Sequence, residues 1–134
     1  MINYIRAYKL SSVAYILVFI ASVVPIPDIK PLQDFNLLDK WVHFVMYGVL
    51  SLCVWWDIYH VRRTYDFTPK DLRRTTFYPI VFGGLIELVQ RYCTNGFRSG
   101  DWIDFIANSV GVLLAVPIGL FLLPKIARHF AVKN

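Results

Sequence analysis

Charge is what this chain has least of. Asp, Glu, Lys and Arg make up only 17% of its 134 residues, against 57% hydrophobic and 16% aromatic. That balance is far more apolar than a soluble domain of this size requires and indicates an integral membrane protein. Cysteine is nearly absent too. Cys53 lies inside an apolar stretch and Cys93 just beyond another, so their depths disagree and neither a disulfide nor thiol chemistry is expected. Internal repeats, low-complexity tracts and long linkers are lacking, which leaves one domain over residues 1–134. No small-x-small cleavage site follows the first apolar run, so that run reads as a retained helix rather than a signal peptide. Also missing are H-E-x-x-H, G-x-S-x-G and a phosphatase-like set of Ser, Gly and two His, which excludes the familiar signatures of metallopeptidases and serine hydrolases.

What is present is four stretches almost free of charge: Leu10 to Pro27, Trp41 to Trp56, Thr75 to Gln90 and Phe105 to Pro124. A bilayer core of ~30 Å takes roughly 20 helical residues, with snorkelling and thinning covering a shortfall. The expected fold is therefore all-α, a membrane four-helix bundle with helices at about residues 8–26, 37–59, 75–94 and 102–124. Ten of the fourteen Lys and Arg residues fall before the first stretch, between the second and third, or after the fourth. By the positive-inside rule both termini and the middle loop are then cytoplasmic. The basic pI near 9.4 reflects this orientation and calls for no nucleic-acid partner.

Local signals mark helix starts. Thr68-Pro69-Lys70-Asp71 offers a capping Thr, a Pro at the first helical position and an acid in the first turn, predicting a short basic helix that leads into the third span. Asn36 to Asp39 and Asp101 to Asp104 both read as capping boxes opening spans two and four. Trp41, Trp55, Trp56, Tyr59 and Trp102 are expected near membrane interfaces.

Polar residues in the spans fall into stripes. Asp39, His43 and Tyr47 recur every fourth residue; Gly83, Glu87 and Gln90 share a face; Asp101, Asp104, Asn108 and Gly111 run down the fourth span. Glu87 stands about 18 Å along its helix from Thr75. A carboxylate there is costly in a bilayer and marks the first place to look for function. The stripes belong to the outer half of the membrane and predict one pocket built from Asp39, Lys40, His43, Glu87, Gln90, Arg98, Asp104 and Asn108. Each residue also has a plainer use. Asp39, Asp101 and Asp104 suit helix N-termini, Glu87 and Arg98 suit a structural ion pair, and Asn108, Gly111 and Pro117 suit helix packing and a kink.

Asp39-Lys40-Trp41-Val42-His43-Phe44, Glu87-Leu88-Val89-Gln90, and Arg98 followed by Asp104, Asn108 and Gly111 resemble the D-K-x-x-H-F, E-x-x-Q and R-x(5)-D-x(3)-N-x(2)-G pattern of the VanZ-like membrane proteins. The similarity runs from Pro25 to about Gly119, with Ala115 where a second small residue often stands. It implies a multi-pass protein of the bacterial plasma membrane. The founding member is associated with low-level resistance to teicoplanin, a lipid-tailed glycopeptide.

Three functions fit. The first is a binding module whose outer-leaflet pocket takes membrane lipids, a lipid-linked cell-wall precursor or a lipoglycopeptide, with Lys40 and Arg98 suited to a phosphate. The second is an intramembrane enzyme on an envelope lipid; no catalytic residue stands out, Ser99 being the one hydroxyl beside the motif. No cofactor is called for, although Asp39, His43, Glu87 and Asp104 are the right types for a divalent metal. The third is an accessory subunit whose polar core only holds the helices together. Nothing in the sequence fixes the oligomer.

Overall fold

The computed structural model describes residues 7–24, 36–62, 67–94 and 100–126. These form four helices, with no strand among the described residues. Helix α1 is Lys9–Val23 and α2 is Asn36–Arg62. Helix α3 begins as Pro69–Leu72, passes through a π-helical stretch at Arg73–Phe77 and continues as Tyr78–Cys93. Helix α4 begins as Trp102–Pro117 and turns π-helical at Ile118–Leu122. Two helical runs, Leu38–Arg62 and Trp102–Ile126, are long and apolar enough to cross a bilayer, while Lys9–Val23 is apolar but shorter.

Cross-helix contacts fix the topology. Gln90 reaches Ser22, Phe82 packs on Tyr15 and Arg74 reaches Tyr8, so α1 and α3 run in the same direction. Lys40 meets Asp104, His43 meets Asn108 and Trp55 lies beside Gly119, so α2 and α4 also run together. Ser51 bonds the Thr75 carbonyl and His43 faces Glu87, which sets α2 antiparallel to α3. The result is an up-down bundle. One end carries the start of α1, the Arg62 end of α2, the start of α3 and the end of α4. The other carries Asp39, Lys40, Glu87, Gly100 and Asp101.

Closest approach is between α2 and α4, where small residues let backbones meet. A Cβ on Gly111 would overlap the Phe44 carbonyl oxygen, whereas one on Gly48 would stand 3.3 Å from the Gly111 oxygen. Beneath this crossing lies a small apolar core of Val18, Tyr47, Leu50 and Val112. The bundle is inverted relative to a water-soluble one. Glu87, Asp104, Asn108, Asp57 and Asp71 are buried, while Ile16, Leu17, Phe121 and many other large apolar side chains face outward.

Several expectations need adjustment. The third helix starts at Pro69 rather than near 75, because the short basic helix and the span are one continuous run. Its π-helical stretch precedes Pro79, whose ring has no N–H to give the Thr75 carbonyl; the Ser51 hydroxyl supplies that bond at 2.7 Å. Trp55 and Tyr59 are buried within the bundle, Trp55 standing edge-on to Phe67 at 4.7 Å. Trp41 and Trp102 are exposed as expected. Asn36 is already helical, so the residue that caps α2 falls outside the described ones. Cys53 and Cys93 are both free.

Candidate functional site

The site forms where α2, α3 and α4 meet at the end bearing Asp39 and Asp101. Helical spacing alone puts Asp39 and His43 on one face of α2, and Asp104 and Asn108 on one face of α4. The parallel pairing of those helices then brings the faces together. Lys40 Nζ lies 3.1 Å from Asp104 Oδ1 and 3.7 Å from Asp101 Oδ2. One turn deeper, His43 Nδ1 is 3.0 Å from Asn108 Oδ1, and Asn108 Nδ2 donates to Glu87 Oε1 at 3.2 Å. His43 Nδ1 is also 3.7 Å from Glu87 Oε1, and His43 Nε2 is 4.0 Å from Asp39 Oδ1.

This network fixes protons as well as positions. With Glu87 ionised its oxygens only accept, so Asn108 turns its amide nitrogen to Glu87 and its oxygen to His43. His43 therefore carries its proton on Nδ1. In the neutral ring Nε2 is then unprotonated, 4.0 Å from Asp39 Oδ1. Asn108 is fully buried and is the relay between histidine and glutamate.

Glu87 has a second task. Its Oε2 accepts the Asp101 backbone N–H at 3.2 Å. The expected capping box at α4 is thus half made: Asp101 accepts from the Ile103 N–H at 3.2 Å, while Asp104 turns to Lys40 and leaves the Asp101 N–H to Glu87. Gly100 makes this reach possible, since a Cβ there would overlap the Glu87 carbonyl oxygen. The chain before α4 is thereby pressed against α3.

Of the eight residues expected in one pocket, Asp39, Lys40, His43, Glu87, Asp104 and Asn108 are brought together. Gln90 is buried, but its amide donates to the Ser22 carbonyl of α1 at 2.9 Å, so it ties α1 to α3 instead. Arg98 and Ser99 lie outside the described residues. One ligand-type atom from each of Asp39, His43 and Asp104 lies within 4.8 Å of the others; Glu87 is not in that group. Beside the cluster a cleft of about 260 Å³ runs between α3 and α4, walled by Val81, Leu85, Leu88, Trp102 and Phe105 and reaching Glu87, Arg91 and Asp101.

The model of the VanZ/LLP1 family matches residues 2–124. The chain belongs to the VanZ/LLP1 family. No curated protein and no solved structure matches it. Within this VanZ/LLP1 chain, the segments that carried the resemblance are the ones that meet: Asp39, Lys40 and His43, then Glu87, then Asp104 and Asn108, with Gly111 holding α4 against α2 one turn below. Family membership and two apolar helices together indicate a membrane protein.

A second polar cluster, at the opposite end, was not foreseen. Asp57 is buried and its Oδ2 accepts from both the Ser11 N–H and the Ser11 hydroxyl at 2.7 Å. It caps the first turn of α1 from another helix, a service that Tyr8 does not provide. In the sequence Asp57 reads only as the charge that ends a span. Its position beyond Trp55 and Trp56 was the available signal, since a carboxylate at a helix end next to buried aromatics needs donors from a neighbour. Nearby, Asp71 accepts from the Thr68 N–H and hydroxyl and pairs with Arg62.

Proposed function

We propose that this VanZ/LLP1 chain is a multi-pass protein of the bacterial plasma membrane that binds an amphiphile at the Asp39 end of its bundle. The ligand class is a lipid-linked cell-wall precursor or a lipid-tailed glycopeptide, which links the protein to teicoplanin-type resistance. The observation that carries the reading is the apolar cleft between α3 and α4, whose lining also takes in the charged residues Glu87, Arg91 and Asp101. A tail fits the first and a polar headgroup the second. Outward-facing Ile16, Leu17, Leu85, Leu113 and Phe121 support lipid on all sides. Orientation follows from charge: Lys9, Arg62, Lys70, Arg73, Arg74 and Lys125 gather at the end opposite the site, so that end is cytoplasmic and the site faces the outer leaflet.

The test is a binding titration of the purified chain in lipid nanodiscs, with teicoplanin and with tail-less vancomycin. Teicoplanin should bind saturably and vancomycin should not. Leu85→Trp, which fills the exposed cleft wall without touching the polar network, should weaken teicoplanin at least about tenfold, the equivalent of ~1.4 kcal/mol. Equal binding of the two antibiotics, or indifference to Leu85→Trp, would remove the tail-and-headgroup reading. Impermeant thiol labelling of single cysteines placed at positions 33 and 64 tests orientation; labelling at 64 alone would put the site on the cytoplasmic side.

A further inference from the structure

The acceptors at the mouth of the site converge on a point. Asp39, His43 and Asp104 each offer one ligand atom within 4.8 Å of the others. With Glu87 ionised and the Asn108 amide turned toward it, His43 carries its proton on Nδ1 and leaves Nε2 unprotonated, 4.0 Å from the Asp39 carboxylate. His43 is 4% exposed and Asn108 is not exposed at all, so the ring is held in place by packing as well as bonding. A histidine whose distal N–H is tied to an amide, which is in turn tied to a carboxylate, has the outer support that orients metal-ligating imidazoles. The three-atom set needs to contract by about 1 Å to meet metal–ligand distances of 2.0–2.2 Å. The contraction draws the Asp39 carboxylate in from the exposed rim, out of its present contacts.

We propose that Asp39, His43 and Asp104 bind one divalent transition-metal ion, with Asn108 and Glu87 as the support that orients His43. One imidazole and two carboxylates suit Mn²⁺ or Zn²⁺ better than thiolate-seeking or all-oxygen ions. Three protein ligands leave coordination positions open toward the rim. Lys40 is the resident competitor. Its ammonium sits 3.1 Å from Asp104 Oδ1 and 3.7 Å from Asp101 Oδ2, and it swings out on its flexible stem when the metal enters, since two cations at that spacing repel. The site so described needs no amphiphile, and the proposal stands or falls apart from the ligand reading.

The experiment uses the full chain, purified in mild detergent and stripped with chelator, titrated with Mn²⁺ while the free-ion signal is followed by electron paramagnetic resonance. One equivalent should be taken up saturably. Asp39→Asn, which keeps the size of the side chain and one acceptor oxygen, and Asp104→Asn should each weaken uptake at least about tenfold. Lys40→Met should tighten it by about the same factor, because the competing charge is gone. A merely structural role for Lys40 gives the opposite sign. Absence of saturable uptake in both the wild type and Lys40→Met overturns the proposal, as does uptake that ignores Asp39→Asn and Asp104→Asn.

Discussion

Replacing Gly111 by alanine separates the contact that aligns the site from the chemistry within it. In α4 the glycine packs so closely on α2 that an added Cβ overlaps the Phe44 carbonyl oxygen and crowds the Phe44 carbonyl carbon at 3.0 Å, both of them backbone atoms that cannot rotate away. The helices must part. Forcing one methyl into such a contact costs about 1–3 kcal/mol, set against a gain of about 1 kcal/mol from replacing glycine inside a helix. Net destabilisation of up to about 2 kcal/mol is expected. Gly48 supplies the control, because its added Cβ stands 3.3 Å from the Gly111 oxygen and needs only a few tenths of an ångström. Gly48→Ala should cost clearly less than Gly111→Ala, since the same backbone has to give far less. The His43 to Asn108 bond, 3.0 Å long, spans the same interface less than one turn from Gly111, so parting the helices should weaken metal uptake and ligand binding along with stability. Unfolding in mixed micelles followed by circular dichroism measures the first effect. Gly111→Ala as stable as wild type, or less disruptive than Gly48→Ala, would refute the close-packed crossing.

Much of this arrangement is legible in the chain because helical periodicity is a local property. Asp39 and His43, or Asp104 and Asn108, share a face by spacing alone, and the helices of this bundle alternate in direction, so stripes at matching depth had to meet. Gln90 shows where the inference stops. It sits on the Glu87 side of α3 by spacing, yet a difference of three residues turns it far enough to reach Ser22 of α1 instead, and only the angular placement of the helices decides which neighbour wins. The same limit hid the Asp57 to Ser11 clasp. The cover on Trp55 is hidden for a related reason, since an aromatic at a span's end carries no local sign that Phe67 and Gly119 will pack on it. The half-made capping box at Asp101 could not be foreseen, because the donor it would satisfy is taken by Glu87, fourteen residues away.

Glu87→Gln should lower stability by about 1.5–3 kcal/mol, the range for losing a hydrogen bond to a charged acceptor. A glutamine has one oxygen for the two donors, Asn108 Nδ2 and the Asp101 N–H, that now face separate carboxylate oxygens. An unchanged melting temperature would mean that Glu87 does not serve both. At the opposite end the test is pH. Burial raises the affinity of the Asp71 carboxyl for a proton, but the Thr68 N–H and hydroxyl and the Arg62 guanidinium outweigh it and hold the group below its ordinary value of 3.8. A carboxyl whose folded value is depressed binds fewer protons folded than unfolded. Its contribution is therefore present in full above the unfolded value and disappears as the pH falls through the folded one. Stability measured from about pH 6 down to pH 2 should decline in the wild type. In Asp71→Asn the whole curve should lie lower near neutrality, because the Arg62 pair and the two Thr68 bonds to a charged acceptor are weakened, and it should fall less steeply in acid. Parallel curves for the two proteins would show that Asp71 titrates alike in both states, and the clasp between Arg62 at the end of α2 and the start of α3 would then owe nothing to the carboxylate's charge.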